Sequence, residues 1–296
     1  MNYYNKIENK LIDNEVYQKV KVYSKERNTV ITYFEIGKLL SEAGSKYGEN
    51  VIQKYSEKLV VEVGKKYNKR TLFRMKQFYN VFSNEKVTPL VTQLTWTHCL
   101  VLITIKDINK IYYYSTQVKI RNLSKRKLEE IIKNKEYERL PIETKQKLIK
   151  KEENKVTDFI KNPILIKNNY DYKEITEKIL KQLILEDMDN FLCELGEDFC
   201  YIRNEYKIKI GNKYNYIDLL LYNIKYNCYI VVELKVTELK KEYIGQIQVY
   251  MNYIDKNIKK ISQDKTIGII ICKKDNKFVL EYSSDDRIFE TIYKIN

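Results

Sequence analysis

The sequence predicts an α+β chain, with an all-α N-terminal half followed by a C-terminal half in which helices flank a central sheet. Three observations lead there. Apolar residues recur at the helical period through the first 133 residues. β-Branched runs bounded by polar turns dominate from residue 199 onward. The charge is also unequally shared: Lys plus Arg number 32 against 19 Asp plus Glu in residues 1 to 160, but 22 against 21 in residues 161 to 296.

In the first half, the spacing predicts helices over residues 33 to 43, 49 to 63, 70 to 82, 96 to 103, 107 to 119 and 125 to 133, with Gly44, Gly48, Gly64 and Pro89 as punctuation. Residues 68 to 71 read as a turn and cap before the third of these. A helix, a short turn and a helix carrying Arg70, Arg74 and Gln77 on one face are compatible with a helix-turn-helix that lays basic side chains in a DNA groove. A surface helix of any Lys-rich protein has the same pattern. Residues 133 to 172 are dense in Lys, Glu and Asn and contain Pro141 and Pro163, and read as a charged helix or linker. The expected domains are therefore 1–155, helical and DNA-binding, and 165–296.

In the second half, a helix is expected over 172 to 195, stopped by Gly196. Strands follow over 199 to 210, 214 to 222 and 228 to 236, then a helix over 241 to 255 and a strand over 266 to 272. Gly211 to Lys213 form the turn of the first hairpin.

Composition narrows the chemistry. The start of the chain lacks the apolar stretch of a secretory signal and no apolar run approaches the ~20 residues of a membrane helix, so a cytoplasmic location is expected. The five cysteines, 99, 193, 200, 228 and 272, form no Cys-x-x-Cys pair and read as thiols rather than as a disulfide framework or zinc site. The single histidine, His98, argues against mechanisms that need several imidazoles and reads as structural. A net charge of +14 points to a polyanionic partner.

The strands over 214 to 222 and 228 to 236 each carry an anomaly. Glu-x-Lys occurs six times, but only the copy at Glu233 and Lys235 interrupts a β-branched run of the kind expected for a buried central strand, placing two charges on one face. Asp218 stands alone in an apolar and aromatic strand, with fourteen residues between it and Glu233. Burying such charges is costly unless something compensates them. A divalent cation would, since Mg²⁺ takes one or two carboxylates and completes its shell with water and phosphate oxygens. Antiparallel pairing of the two strands can bring the carboxylates together. The alternative is a buried Asp218–Lys235 ion pair with Glu233 at a sheet edge.

Residues 191 to 196 with Phe199, 216 to 222, 231 to 235, Gly245 and Gln246 with Tyr250, and 267 to 272 resemble the PD-(D/E)xK nuclease superfamily. Together with residues 72 to 79 and 94 to 98, they resemble more narrowly the bacterial YhcG-like proteins, which join a helical domain to such a nuclease domain. The resemblance implies a restriction-endonuclease-like fold with a mixed sheet and a Mg²⁺-dependent deoxyribonuclease, with Mn²⁺ able to substitute. It implies that Asp218 and Glu233, with the Leu234 carbonyl, bind metal and that Lys235 assists the attacking water as base, orienter or electrostatic stabiliser. Ile217 stands where the motif has its proline. Gln246 and Tyr250, four apart on one helix, match a pair found near metal and nucleic acid in some branches, although Tyr250 also reads as core beside Ile247 and Ile254. Glu186 and Glu194 match the extra acid that many members carry on the first helix of the domain, and each also reads as an ordinary exposed or capping carboxylate. The expected partner is nucleic acid, most readily DNA, in a homodimer or larger nucleoprotein complex. The rivals are a catalytically silent DNA-binding scaffold and a nuclease subunit of a larger defence or mobile-element complex.

Overall fold

The computed structural model describes residues 3–20, 25–48, 50–150, 152–276, 279, 281 and 285–296. The chain forms two compact units, Met1–Tyr137 and Glu138–Asn296. No helix among the described residues is long and apolar enough to cross a membrane.

The first unit is helical: α1 (Tyr3–Val20), α2 (Lys25–Tyr47), α3 (Asn50–Glu62), α4 (Lys69–Phe82), α5 (Trp96–Leu102), α6 (Ile108–Arg121) and α7 (Lys125–Lys133). Glu49, the first residue of the expected second helix, lies outside the described residues. Ile7 and Leu11, Ile36 and Leu40, Ile52 and Leu59, and Leu72 and Met75 bring the apolar faces of α1 to α4 into one core. A Cβ at Gly37 would lie 2.2 Å from the Met75 carbonyl oxygen, so only glycine lets α2 and α4 cross this closely. Asn68 caps α4 by accepting the Thr71 N–H at 3.1 Å, as its sequence implied. His98 is structural: its backbone N–H is accepted by Thr95 Oγ1 and its Nδ1 accepts the Thr95 N–H, a reciprocal cap on α5.

The second unit contains α8 (Ile142–Lys150), β1 (Ile164–Ile166), α9 (Glu177–Glu186), α10 (Met188–Leu195), β2 (Phe199–Ile210), β3 (Lys213–Asn223), β4 (Cys228–Leu234), α11 (Lys241–Asn257), β5 (Ile267–Cys272) and β6 (Ile288–Ile295). These strands form one mixed sheet in the order β1-β6-β5-β4-β3-β2. β2, β3 and β4 make the expected antiparallel meander, while β5, β6 and β1 add in parallel. Helices α9 and α10 cover one face through Leu180, Leu183 and Phe191. Helix α11 covers the other through Ile247, Met251 and Ile254.

The structure differs from the sequence reading in four places. Helix α1 was not anticipated, and α2 begins at Lys25 rather than at residue 33. The helix expected over 172 to 195 is two helices, which break at Asp187 where φ is −127° and ψ 53°. Strands β1 and β6 were not anticipated, and they complete the sheet beyond β5. Much of the stretch read as a linker is folded into the second unit. There Arg139 donates to both Glu194 carboxylate oxygens and to the Pro163 carbonyl at 2.8 Å.

Candidate active site

The β3–β4 register is set by the polar turn over 224 to 227, where Asn223 Oδ1 accepts the Tyr226 N–H at 3.1 Å. Pairing runs from Asn223↔Cys228 to Leu219↔Val232 and stops there. At the next position the Asp218 carboxylate takes over from backbone, Oδ2 accepting the Leu234 N–H at 3.0 Å. The β2 side is interrupted at the same point. Asn204↔Leu219 and Tyr206↔Ile217 are paired, but Glu205 between them has φ +49°. Asp218 thus sits where both of its ladders are interrupted, a common way to re-aim a side chain next to a site.

Glu233 and Lys235 come from β4 and its C-terminal extension, in the middle of the sheet. Glu233 is 1% exposed. Its Oε2 accepts from Lys235 Nζ at 3.1 Å, while Oε1 is buried with no hydrogen-bond partner. Burial, then the Asp218 carboxylate, push the Glu233 carboxyl up to about 7 against the pull of Lys235. Burial acts to lower the Lys235 ammonium, but Glu233 and Asp218 outweigh it and hold it above its ordinary value. Lys235 Nζ also stands 5.2 Å from the Tyr243 ring centre on α11.

The alternative of an Asp218–Lys235 ion pair with Glu233 at an edge is not what forms. Lys235 pairs with Glu233, and Asp218 pairs with Lys181 of α9 at 2.7 Å. Lys181 also bridges to Glu205. Burial pulls the Lys181 ammonium down, but its hydrogen bonds to these two carboxylates more than offset that and raise it. Sequence reasoning missed Lys181 and Glu205, and nothing in the sequence distinguishes Lys181 from its neighbour Lys178. Glu177, Lys181, Gln182, Glu186, Glu205 and Asp218 line a cleft of about 620 Å³.

On α11, Gln246 Nε2 donates to the Tyr250 hydroxyl at 3.0 Å. Tyr250 is 6% exposed and packs with Ile247 and Ile254, so it belongs to the core. Burial raises its phenol, the Gln246 hydrogen bond lowers it, and the Glu233 charge raises it. Glu186 lines the cleft and accepts from Gln182 at 2.9 Å. Glu194 is buried against Arg139 and the Leu165 N–H. In the first unit Arg70 is exposed and Arg74 half-buried on α4, and Gln77 donates to the Ile103 carbonyl at 3.0 Å.

The residues present fit a divalent ion. A buried carboxylate oxygen without a donor, beside a second carboxylate, is the hard oxygen pair that Mg²⁺ or Mn²⁺ takes. Among the described residues no group of three or more His, Cys, Asp or Glu side chains could hold a metal, so the rest of the shell would be carbonyl, water and phosphate oxygen. That donor set excludes a structural zinc site. All five cysteines are free thiols.

Residues 157–294 match the family model of the YhcG PDDEXK nuclease domain. Residues 10–139 match that of the DUF1016 N-terminal domain. The chain is 22% identical over 283 residues to the "Putative nuclease YhcG" of Escherichia coli (strain K12), covering 81% of this chain and 76% of that one. Two solved structures are also similar, each at 19% identity and a TM-score of 0.29. They are a repair endonuclease from Pyrococcus abyssi, matched over 41% of this chain and 47% of that one, and an EndoMS complex with double-stranded DNA, matched over 44% and 48%. The match therefore spans less than half of either of those chains. PDDEXK nucleases generally use divalent metals. By these two matches the chain carries a DUF1016 N-terminal domain followed by a YhcG PDDEXK nuclease domain.

Proposed function

We propose that the protein is a Mg²⁺-dependent deoxyribonuclease, a phosphodiester hydrolase in which residues 165–296 cut the strand and residues 1–155 hold it. The observation that carries the reading is the buried Glu233 Oε1 with no donor, next to Asp218 and Lys235. Asp218, Glu233 and the Leu234 carbonyl are the metal-holding groups, and Mn²⁺ can replace Mg²⁺. When bound, the ion lowers the pKa of water and neutralises charge on the phosphate. Lys235, paired with Glu233 in the ion-free protein, is free to donate to the attacking water or to a phosphate oxygen once that carboxylate is engaged. Gln246, whose amide donates to the Tyr250 hydroxyl, is assigned to orient the same reacting groups. In the N-terminal part Arg70 and Arg74 face phosphates, with Gln77 anchored beside them, and the excess of basic residues there supplies salt-sensitive attraction. A bacterial cytoplasm suits a protein with five free thiols.

The test is cleavage of supercoiled plasmid and of linear single- and double-stranded DNA with Mg²⁺, Mn²⁺ or EDTA. Asp218→Ala and Lys235→Ala are expected to lose at least ~100-fold in rate, the scale of removing one transition-state contact. Cleavage in EDTA, or full activity of Asp218→Ala, would end the reading.

A further inference from the structure

Strands β2 and β3 run on beyond the rest of the sheet. From Tyr206↔Ile217 to Ile210↔Lys213 they pair only with each other, because the β3–β4 ladder has already stopped at Leu219↔Val232. This arm has two different faces. One turns Ile208 and Ile217 into the core beneath α11. The other carries Lys207 opposite Tyr216 and Lys209 opposite Tyr214, since directly paired residues share a face.

Tyr214 is 57% and Tyr216 49% exposed, an uncommon position for two large rings. Lys207 Nζ lies 3.8 Å and Lys209 Nζ 5.9 Å from the Tyr214 ring centre, so the ring stands among the arm's cations. Within residues 199 to 217 four basic side chains, Arg203, Lys207, Lys209 and Lys213, stand against one acid, Glu205, which Lys181 neutralises. The two-residue period of a strand sets Tyr214 and Tyr216 on one face of β3, roughly 7 Å apart. Asp218 follows two residues after Tyr216 on the same strand, so the exposed rings stand next along the chain to the carboxylate assigned to the metal.

We propose that this arm is the docking surface for an unpaired nucleic acid strand, with Tyr214 and Tyr216 stacking on successive bases and Lys207 and Lys209 facing the phosphates. The proposal rests on the nuclease reading of Asp218 and adds its substrate form. An intact duplex hides its base faces and would use only the lysines, leaving the rings idle. A second copy added edge to edge is disfavoured by the outward lysines of β2 and by the kink at Glu205, both of which discourage strand addition.

The experiment uses the full chain with Ca²⁺ in place of Mg²⁺, a 5-iodouracil-substituted single strand, and a duplex of the same length. Irradiation of the wild type is expected to cross-link Tyr214 or Tyr216, located by peptide mass spectrometry. Tyr214→Ala/Tyr216→Ala is expected to bind the single strand ~10-fold more weakly while duplex affinity changes by less than about twofold, because base–aromatic stacking is the interaction removed. Both rings are exposed near a hairpin tip, and an unchanged melting temperature checks the fold. Unchanged single-strand affinity, equal losses for both substrates, no cross-link at either ring, or a wild-type dimer that the variant splits in sedimentation would each overturn the proposal. Cleavage is scored separately: a wild type that cross-links at Tyr214 or Tyr216 but never cuts in Mg²⁺ refutes the nuclease reading and leaves the arm standing.

Discussion

Replacing Glu194 by alanine should destabilise the C-terminal unit without touching the Asp218–Glu233 site. Glu194 is buried, and its carboxylate accepts both Arg139 guanidinium nitrogens and the Leu165 N–H at 2.9 Å. Its removal takes away the carboxylate to which two nitrogens of a buried guanidinium donate, while the Pro163 carbonyl at 2.8 Å stays in place. Breaking one partner of a buried pair costs about 3–5 kcal/mol, far more than the pair adds over well-packed apolar residues. With a urea dependence of roughly 2 kcal/mol per molar, the midpoint should fall by about 2 M. The assay is urea denaturation with hydrogen exchange followed at the amides of β5, which reports on this unit whatever the other does. Arg139→Met/Glu194→Leu should recover most of the loss, because no charge is then left unpaired. Mn²⁺ affinity should stay within about twofold of wild type. A midpoint shift below about 0.5 M, or an unmoved midpoint with lost Mn²⁺ binding, would refute the structural role and return Glu194 to the metal-ligand position that its place on the first helices of the domain invites.

Two further outcomes follow from charged contacts elsewhere in the domain. Lys181→Met removes an ammonium 2.7 Å from Asp218, so Mn²⁺ measured by electron paramagnetic resonance should bind several-fold more tightly, and weaker binding would show that Lys181 holds Asp218 in place rather than competing for it. The hydrogen bonds from Arg287, with its charge, hold the Asp285 carboxyl below its ordinary value of 3.8 against the effect of burial. A depressed carboxyl stabilises above its unfolded value and loses that contribution as pH falls through the folded one. Urea midpoints followed from about pH 6 to about pH 2 should therefore fall more steeply for wild type than for Asp285→Asn, and parallel curves would remove Asp285 from acid unfolding.

Legibility in the sequence followed how local the determining interaction was. Strand β2 was bounded at both ends by its own turn residues, and α4 announced itself through the Asn68 cap and an apolar stripe ending in Phe82. Strand β1 is three residues long, too short to carry a period, and exists because β6 offers it a parallel ladder. Strand β6 takes Glu290 into a buried position where Cys272 Sγ donates to it at 3.1 Å, a partner supplied from eighteen positions away that no local window includes. Helix α1 buries Ile7 and Leu11 within a run of charged residues that masks its face. At the site, Asp218, Glu233 and Lys235 were legible because charges in a β-branched run contradict their surroundings. Lys181 and Glu205 were not, since a lysine on a helix and a glutamate on an edge strand contradict nothing. Their pairing with each other and with Asp218 is purely tertiary.

The end of the β3–β4 ladder at Leu219 has an evolutionary corollary. Most surface connections absorb inserted or deleted residues at little cost. The four-residue bend between β3 and β4 cannot, because Asp218 meets the Leu234 N–H only while Asn223 stays opposite Cys228. Lengthening that bend by a single residue would shift the two strands against each other and turn every side chain of one of them to the opposite face. The chain length of this bend should therefore be held constant among active relatives even where its residues change freely, and a relative with a longer bend should have lost its cutting activity before it lost its fold.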